Sequence, residues 1–143
     1  MNISPCNNAM QNKVIIISNN PRVAKKLKAF EQNACDSYEQ VLFQVRNKVH
    51  EGARLLTHPL AGSVKPGESP YRSVAITDET GELDMRSLEL IESAIDRFRT
   101  MTSNKIERQY PAETLEDFQL IDYNLLLTGL ESILSQYPGA LQK

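Results

Sequence analysis

The length, composition and charge of this chain predict one globular domain. Its 143 residues include 41% hydrophobic and 24% charged side chains, close to the averages for folded proteins, so disordered and fibrous classes are disfavoured. Sixteen basic and eighteen acidic residues give a net charge of -2, which argues against a general nucleic-acid binder because such proteins need a basic surface. No apolar run approaches the roughly 20 residues that cross a membrane.

The N-terminus and the cysteines show no sign of export or of disulfide chemistry. Residues 1–12 lack the basic start and the apolar middle of a signal peptide. We therefore expect a loose leader over residues 1–12, a single α/β domain over residues 13–143 and a cytoplasmic location. Cys6 and Cys35 form no CxxC pair. We interpret both as structural thiols, and the alternative is a redox role for Cys6.

The first predicted elements are a strand, a tight turn and a helix. The β-branched run from Val14 to Ser18 is typical of a strand buried on both faces of a parallel sheet. Asn20 follows as an N-cap, and Pro21 begins a helix that ends at about Glu31. Backbone N–H groups at such a turn can bind an anion in α/β folds, although Asn19 and Asn20 also fit a simple helix cap.

The helix after this turn carries a cluster of basic side chains. They lie largely away from its apolar face, and we interpret them as a solvated surface. The cluster consists of Arg22, Lys25, Lys26 and Lys28.

A second helix and a second strand are predicted next. The helix runs from Ser37 to Glu51, begins with a capping box and stops at Gly52, which can adopt the left-handed conformation of a helix end. Before it, residues 32–36 give a weak signal for a short edge strand. After it, the run from Ala53 to Thr57 predicts a second central strand.

A long polar loop joins this strand to the third predicted strand, Val74 to Thr77. Residues 55–76 read LLTHPLAGSVKPGESPYRSVAI and are rich in Pro, Gly, Ser and Thr. If the strands are parallel, the loop lies over the carboxyl edge of the sheet, where open α/β sheets bind their ligands. Loops held by a rigid scaffold are also where binding groups collect.

Cationic, amide and hydroxyl groups in and beside this loop predict a site for a small anion such as phosphate or carboxylate. Backbone N–H groups near Gly62 can point at an anion, and Lys65 and Arg72 add positive charge. The candidate ligand-binding residues are Asn19, Asn20, Thr57, His58, Gly62, Ser63, Lys65, Tyr71, Arg72 and Ser73. The alternative is that the loop only turns the chain, with His58 as a hydrogen-bonded structural group.

The chain carries no known catalytic or cofactor signature. The GxGxxG, P-loop, GxSxG and HExxH motifs are absent. Two histidines without a close carboxylate cluster give little support for a metal site. We therefore predict no cofactor and no metal. An enzyme of acyl or phosphoryl transfer is the second hypothesis, with His58 as general acid or base and with Lys65 and Arg72 stabilising the developing charge.

The loop also carries a family resemblance. The run LLTHPLAGSVKPGESPYRSV, with VIIISNNP before it and LEDFQLID after it, resembles the small GrdX-type proteins associated with glycine, sarcosine and betaine reductase systems of amino-acid-fermenting anaerobes. The likeness covers about residues 13–126, and the THPL-GS-KP segment is its most specific part. It implies a cytoplasmic accessory protein without a settled biochemical activity, and it provides no catalytic residues.

The resemblance also bears on partners. It implies that a component of the reductase is a candidate partner. A third hypothesis is accordingly an interaction module that docks on such a component or forms a homo-oligomer through the loop. The absence of a selenocysteine or a redox cysteine motif argues against a reductase subunit that itself handles electrons.

The remaining elements complete an α/β fold. Asp84 caps a helix that ends at about Thr100. We predict a three-layer α-β-α arrangement, Rossmann-like, with a C-terminal helical region. Its small, mainly parallel sheet would contain Val14 to Ser18, Ala53 to Thr57 and Val74 to Thr77, with helices on both faces.

The C-terminal region from Ala112 to Gln136 is one helix or two. A break near Asp122 would make that residue an N-cap. The alternative leaves Asp117, Gln119 and Asp122 facing the loop as polar partners for Lys65, Arg72 or His58. Gly129, inside the second half, indicates close packing against another part of the chain.

Overall fold

The chain forms a mixed α/β fold. The structure, a computed structural model, describes residues 14–60, 69–103 and 109–134. In these ranges the elements are β1 (Val14–Ser18), α1 (Pro21–Lys26), β2 (Glu31–Ala34), α2 (Tyr38–His50), β3 (Ser73–Thr77), α3 (Met85–Thr102) and α4 (Ala112–Leu134). The predicted leader and the candidate residues Gly62, Ser63 and Lys65 lie outside them. None of the helices described here is long and apolar enough to cross a membrane.

The three strands form a mixed sheet with β1 at its centre. The order is β2-β1-β3. β1 pairs in parallel with β2, where Ile15 lies opposite Glu31, and antiparallel with β3, where Ser18 lies opposite Ser73. The prediction of a mainly parallel sheet is therefore wrong. Its basis was the apolar run in β1, which reports burial on both faces and not the direction of the neighbouring strand.

The segment from Ala53 to Thr57 is not a strand of this sheet, contrary to the prediction. It lies beside β3 and forms one antiparallel bridge, between Leu55 and Ile76. Side chains replace part of the usual ladder: the Thr57 hydroxyl accepts from the Ala75 N–H (3.0 Å). On the other side of the segment, the Leu55 N–H donates to a serine hydroxyl of α3 (3.0 Å). Backbone N–H groups that donate to side-chain hydroxyl groups are not available for regular strand pairing.

The weak edge-strand signal marks the true parallel neighbour of β1. β2 is the polar tetrapeptide Glu31–Ala34, and its side chains are exposed or half-buried, as is usual for an edge strand. It begins early because α1 ends at Lys26 rather than near Glu31. Leu27 and Phe30 are buried in the turn that connects α1 to β2. Their helix-like spacing therefore indicated burial and not a longer helix.

Three of the predicted helix caps are confirmed. Asn20 accepts from the backbone N–H of Arg22 at the start of α1 (3.0 Å). Ser37 accepts from the N–H of Gln40 at the start of α2 (3.1 Å), and Asp84 accepts from the Ser87 N–H at the start of α3 (3.1 Å). These caps depend on neighbours in sequence, which explains why the sequence locates them well.

Gly52 follows the end of α2 and adopts the left-handed backbone conformation, with φ of 117°. A Cβ atom there would lie 2.4 Å from the backbone nitrogen of Gly81. The Gly81 N–H in turn donates to the Glu51 carbonyl (2.9 Å). Glycine is thus required at position 52 by both conformation and space.

Helices pack against both faces of the sheet. Successive side chains of β1 alternate between the faces. Ile15 and Ile17 lie in a core cluster with α2 and α3, and Val14 and Ile16 lie in a second cluster with α1 and α4. The prediction of a mixed α/β fold is therefore confirmed, whereas a three-layer, Rossmann-like arrangement is not.

α4 is one continuous helix of 23 residues, and the predicted break at Asp122 is wrong. Asp122 lies inside the helix and is 4% exposed. Its place on the apolar face is explained by hydrogen bonds to other elements, which the sequence pattern alone does not indicate. Close packing at Gly129 is confirmed, because a Cβ atom there would lie 2.9 Å from Cγ2 of Thr57.

Candidate functional site

Asn19 brings the end of the predicted loop against the carboxyl end of β1. Its side-chain amide donates to the Pro70 carbonyl (2.7 Å), and its side-chain oxygen accepts from the Arg72 N–H (2.8 Å). The Asn19 N–H also donates to the Arg72 carbonyl (3.4 Å). Asn19 thereby fixes the backbone of residues 70–72, and it places the Arg72 side chain at this edge of the sheet.

Asp122 fixes α4 against the same edge. One carboxylate oxygen accepts from the Ser73 N–H (3.0 Å). The other accepts from the Ser73 hydroxyl (2.6 Å) and from the Asn20 side-chain amide (2.9 Å). Since Ser73 begins β3 and Asn20 follows β1, this buried carboxylate ties one helix to two strands.

A chain of buried hydroxyl groups continues from that carboxylate. The Ser73 hydroxyl donates to Asp122, so at its 2.7 Å contact with Ser18 it must accept. The Ser18 hydroxyl in turn accepts from the Asn20 N–H (2.9 Å). Every donor in this network therefore has a defined acceptor, which favours one rigid arrangement of the edge.

Arg72 is a buried cation beside the Asp122 network. It is 6% exposed, and its Nη2 donates to the His58 carbonyl (3.2 Å). It also forms a hydrogen bond with the Tyr38 hydroxyl. Burial has the largest effect on the pKa of Tyr38 and raises it, whereas the positive charge of Arg72 opposes this rise. Arg72 thus joins α2, the segment at His58 and the start of β3.

His58 presents a neutral donor at the surface. Its Nδ1 accepts from the Leu60 N–H (3.0 Å). Because a backbone N–H only donates, Nδ1 is unprotonated here, and the ring carries its proton on Nε2. Partial burial and, second, the positive charge of Arg72 lower the pKa of His58. Near neutral pH the ring therefore offers an N–H group and no positive charge.

A pocket of about 230 Å³ lies between the segment at residues 56–58, the start of β3 and the C-terminal half of α4. We call it the α4 pocket. Its polar residues are Thr57, His58, Arg72, Ser73 and Ser132. Its other residues are Leu56, Leu125, Leu126, Gly129 and Ile133. The volume is below the roughly 300–1,000 Å³ of drug-sized sites, so a small metabolite would fit.

The family comparison covers these elements. The family model described as GrdX-like protein matches residues 15–131. The chain belongs to the GrdX-like protein family. The predicted resemblance is thus confirmed, and the match extends from β1 to near the end of α4. Neither the comparison with curated proteins nor the comparison with solved structures returned a match.

In this GrdX-like protein four of the predicted ligand-binding residues line the α4 pocket: Thr57, His58, Arg72 and Ser73. The other described candidates lie nearby and have structural contacts. Asn19 and Asn20 hold the two strands and α4 together, and the Tyr71 hydroxyl accepts from the Gln119 side chain (2.9 Å). The remaining candidates Gly62, Ser63 and Lys65 lie outside the described residues.

The far wall of the pocket was missed by the sequence reasoning. Leu125, Leu126 and Ile133 belong to α4, which lies far beyond the loop in sequence. The sequence predicts an apolar helix face that includes Leu126 and Ile133, but it does not indicate which element packs against that face. The alternative reading of the C-terminal region came closer, because Gln119 and Asp122 do face this edge of the sheet. Their hydrogen-bond partners are Tyr71, Ser73 and Asn20.

Cys35 shows the features expected of a structural thiol. It is half-buried, and its N–H donates to the Ser18 carbonyl (2.9 Å). Burial and, second, the negative charge of Asp36 raise the pKa of its thiol. A raised pKa leaves less of the reactive thiolate at neutral pH. Cys6 lies outside the described residues.

Proposed function

We propose that this GrdX-like protein is an accessory protein, without catalysis of its own, that binds a small anionic ligand in the α4 pocket. The reductase context follows the family resemblance: a cytoplasmic protein that acts beside glycine, sarcosine or betaine reductase. A component of that reductase is the proposed protein partner, and a homo-oligomer is the alternative assembly.

The observation that carries the proposal is the buried guanidinium of Arg72 at the pocket wall. No carboxylate is among the described residues that line the pocket, whereas Thr57 and His58 bring donor groups beside Arg72. The nearby carboxylate of Asp122 accepts from the Ser73 N–H and does not line the pocket. An anion in the pocket would meet one cation and two neutral donors, a combination suited to a carboxylate or similar group.

The apolar residues of the pocket support a ligand with a small nonpolar body. Leu56, Leu125 and Ile133 would cover such a body while the charged end lies near Arg72. Sites for metabolites commonly combine a mainly apolar lining with a few placed polar groups. Gly62, Ser63 and Lys65 are proposed to add contacts from the loop.

The geometry gives less support to the enzyme hypothesis. A general base needs an unprotonated nitrogen directed at the substrate. The unprotonated Nδ1 of His58 is already used by the Leu60 N–H, and Nε2 carries the proton. His58 is therefore better suited to donate a hydrogen bond to a bound anion than to remove a proton.

A thermal-shift screen followed by calorimetry tests the proposal. The probes are glycine, betaine and acetyl phosphate, and the variants are His58→Ala and the control His50→Ala. Both histidines are exposed, but only His58 lines the pocket. We expect a probe to bind saturably and His58→Ala to weaken it about tenfold, since a hydrogen bond to a charged group is lost. Absence of saturable binding, or equal weakening by His50→Ala, would contradict the proposal.

A further inference from the structure

We propose a second anion site, which takes a phosphate monoester or a similar dianion, in a cleft between α1 and α4. The cleft has a volume of about 270 Å³ and is lined by Pro21, Arg22, Lys25, Lys26, Glu116 and Gln119. We call it the α1–α4 cleft. It shares no residue with the α4 pocket, so this inference does not depend on the function proposed above.

The charges in the α1–α4 cleft are not balanced. Three basic side chains face one carboxylate, that of Glu116, which leaves two net positive charges. Within the described parts of the chain, none of these four side chains forms an ion pair; the ion pairs found there join Arg46 to Glu92 and Arg54 to Glu79. The positive charge of the cleft is that of its side chains. α1 has only six residues, so its N-terminus is not counted as part of the site.

Arg22 is the residue of the cleft that a bound anion would stabilise most. Its Nε is closed off from solvent and has no hydrogen-bond acceptor among the described residues. The backbone of Arg22 is fixed by its N–H, which donates to the Asn20 side chain (3.0 Å). A guanidinium that is partly desolvated and lacks a carboxylate partner is disfavoured as a cation, and an anion in the cleft would offset this by charge attraction.

The charge of the cleft indicates the class of ligand. A phosphate monoester carries about −1.5 to −2 charges near pH 7, which matches the two net positive charges of the cleft. Its oxygens also fit the planar donor groups of an arginine, with lysines as added point charges. A monocarboxylate would leave one positive charge unbalanced. The α1–α4 cleft and the α4 pocket therefore differ in the ligand charge that they favour.

Two charge-matched substitutions on one short segment test this site. Arg22→Gln and Lys28→Gln remove the same charge, but Lys28 is exposed and does not line the cleft. Lys26→Gln is a second cleft variant at an exposed position, where folding is little affected. The probes are methyl phosphate and, as a singly charged control, methyl sulfate. Binding is measured by calorimetry at low ionic strength, and circular dichroism verifies that each variant is folded.

We expect saturable binding of methyl phosphate and weaker binding of methyl sulfate. Arg22→Gln and Lys26→Gln should each weaken methyl phosphate about tenfold, while Lys28→Gln should leave it within about twofold. Absence of saturable binding would overturn the site. Equal weakening by Lys28→Gln and the cleft variants would also overturn it, because it would indicate attraction to the overall charge of residues 22–28.

Discussion

Asp122, in the middle of α4, accepts hydrogen bonds from both the backbone N–H and the hydroxyl of Ser73, at 3.0 Å and 2.6 Å. This one contact joins the last helix to the first residue of β3. Because Ser73 also lines the α4 pocket, the same contact that stabilises the fold sets the position of the pocket wall.

Asp122→Ala should strongly destabilise the protein. The substitution leaves the Ser73 N–H and the Asn20 amide without this buried acceptor. We expect the free energy of unfolding to fall by about 3 kcal/mol, measured by urea denaturation. Asp117→Ala is the control on the same helix, since Asp117 is exposed, and it should change the free energy by less than about 0.5 kcal/mol. Similar losses for the two variants would contradict the assigned role of Asp122.

Asp122 also illustrates where prediction from the sequence stops succeeding. The β-branched run of β1 and the caps Asn20, Ser37 and Asp84 were predicted correctly, because each signal lies within a few neighbouring residues. The break at Asp122 was predicted wrongly, because its hydrogen-bond partners Ser73 and Asn20 are distant in sequence. A buried carboxylate that bonds across the fold looks like a helix cap when only its neighbours are visible.

The sheet and the site follow the same principle. The polar strand β2 gave almost no apolar signal, and the apolar segment from Ala53 to Thr57 gave a strong one, yet only β2 is a strand of the sheet. What decides between them is pairing with β1 and the hydroxyl contacts of Thr57, both of which are long-range. For the site, the sequence singled out four residues in or beside a polar loop: Thr57, His58, Arg72 and Ser73. The residues that α4 contributes to the pocket could not be predicted, because they depend on how the helix packs against the rest of the chain.

Gly129→Ala should reveal the close contact between α4 and Thr57. Alanine normally stabilises a helix interior by about 1 kcal/mol relative to glycine. Here the added Cβ atom would lie 2.9 Å from Cγ2 of Thr57, and Thr57 is held because its hydroxyl accepts from the Ala75 N–H. We therefore expect Gly129→Ala to lower the free energy of unfolding by about 1 kcal/mol, as measured by urea denaturation.

A double-mutant cycle supplies the control for that prediction. Thr57→Ser removes Cγ2 and keeps the hydroxyl that bonds Ala75. In this background Gly129→Ala should become stabilising by about 1 kcal/mol, as expected from helix propensity alone. If Gly129→Ala has the same effect with threonine and with serine at position 57, the proposed contact does not limit the packing.

The pKa of His58 should lie below its ordinary value of 6.5, owing to partial burial and to the Arg72 charge. The neutral ring is then favoured by folding. The corresponding stability is fully present above the unfolded pKa of about 6.5, and it is lost as the pH falls through the lower folded pKa.

An NMR titration of the imidazole resonances measures this pKa and identifies the protonated nitrogen. We expect the neutral form to carry its proton on Nε2, because Nδ1 accepts from Leu60. A His58 pKa at or above 6.5, or a neutral ring protonated on Nδ1, would contradict the geometry assigned to this residue.

The central claim is that a small anion binds in the α4 pocket, and an amide-resolved NMR titration tests it most directly. The ¹⁵N-labelled protein is titrated with glycine, betaine and acetyl phosphate. We predict saturable shifts at residues 56–58, 72–73 and 125–133, about tenfold weaker binding in His58→Ala and unchanged binding in His50→Ala. Shifts that do not saturate, or that cluster away from these residues and are unaffected by His58→Ala, would contradict the claim.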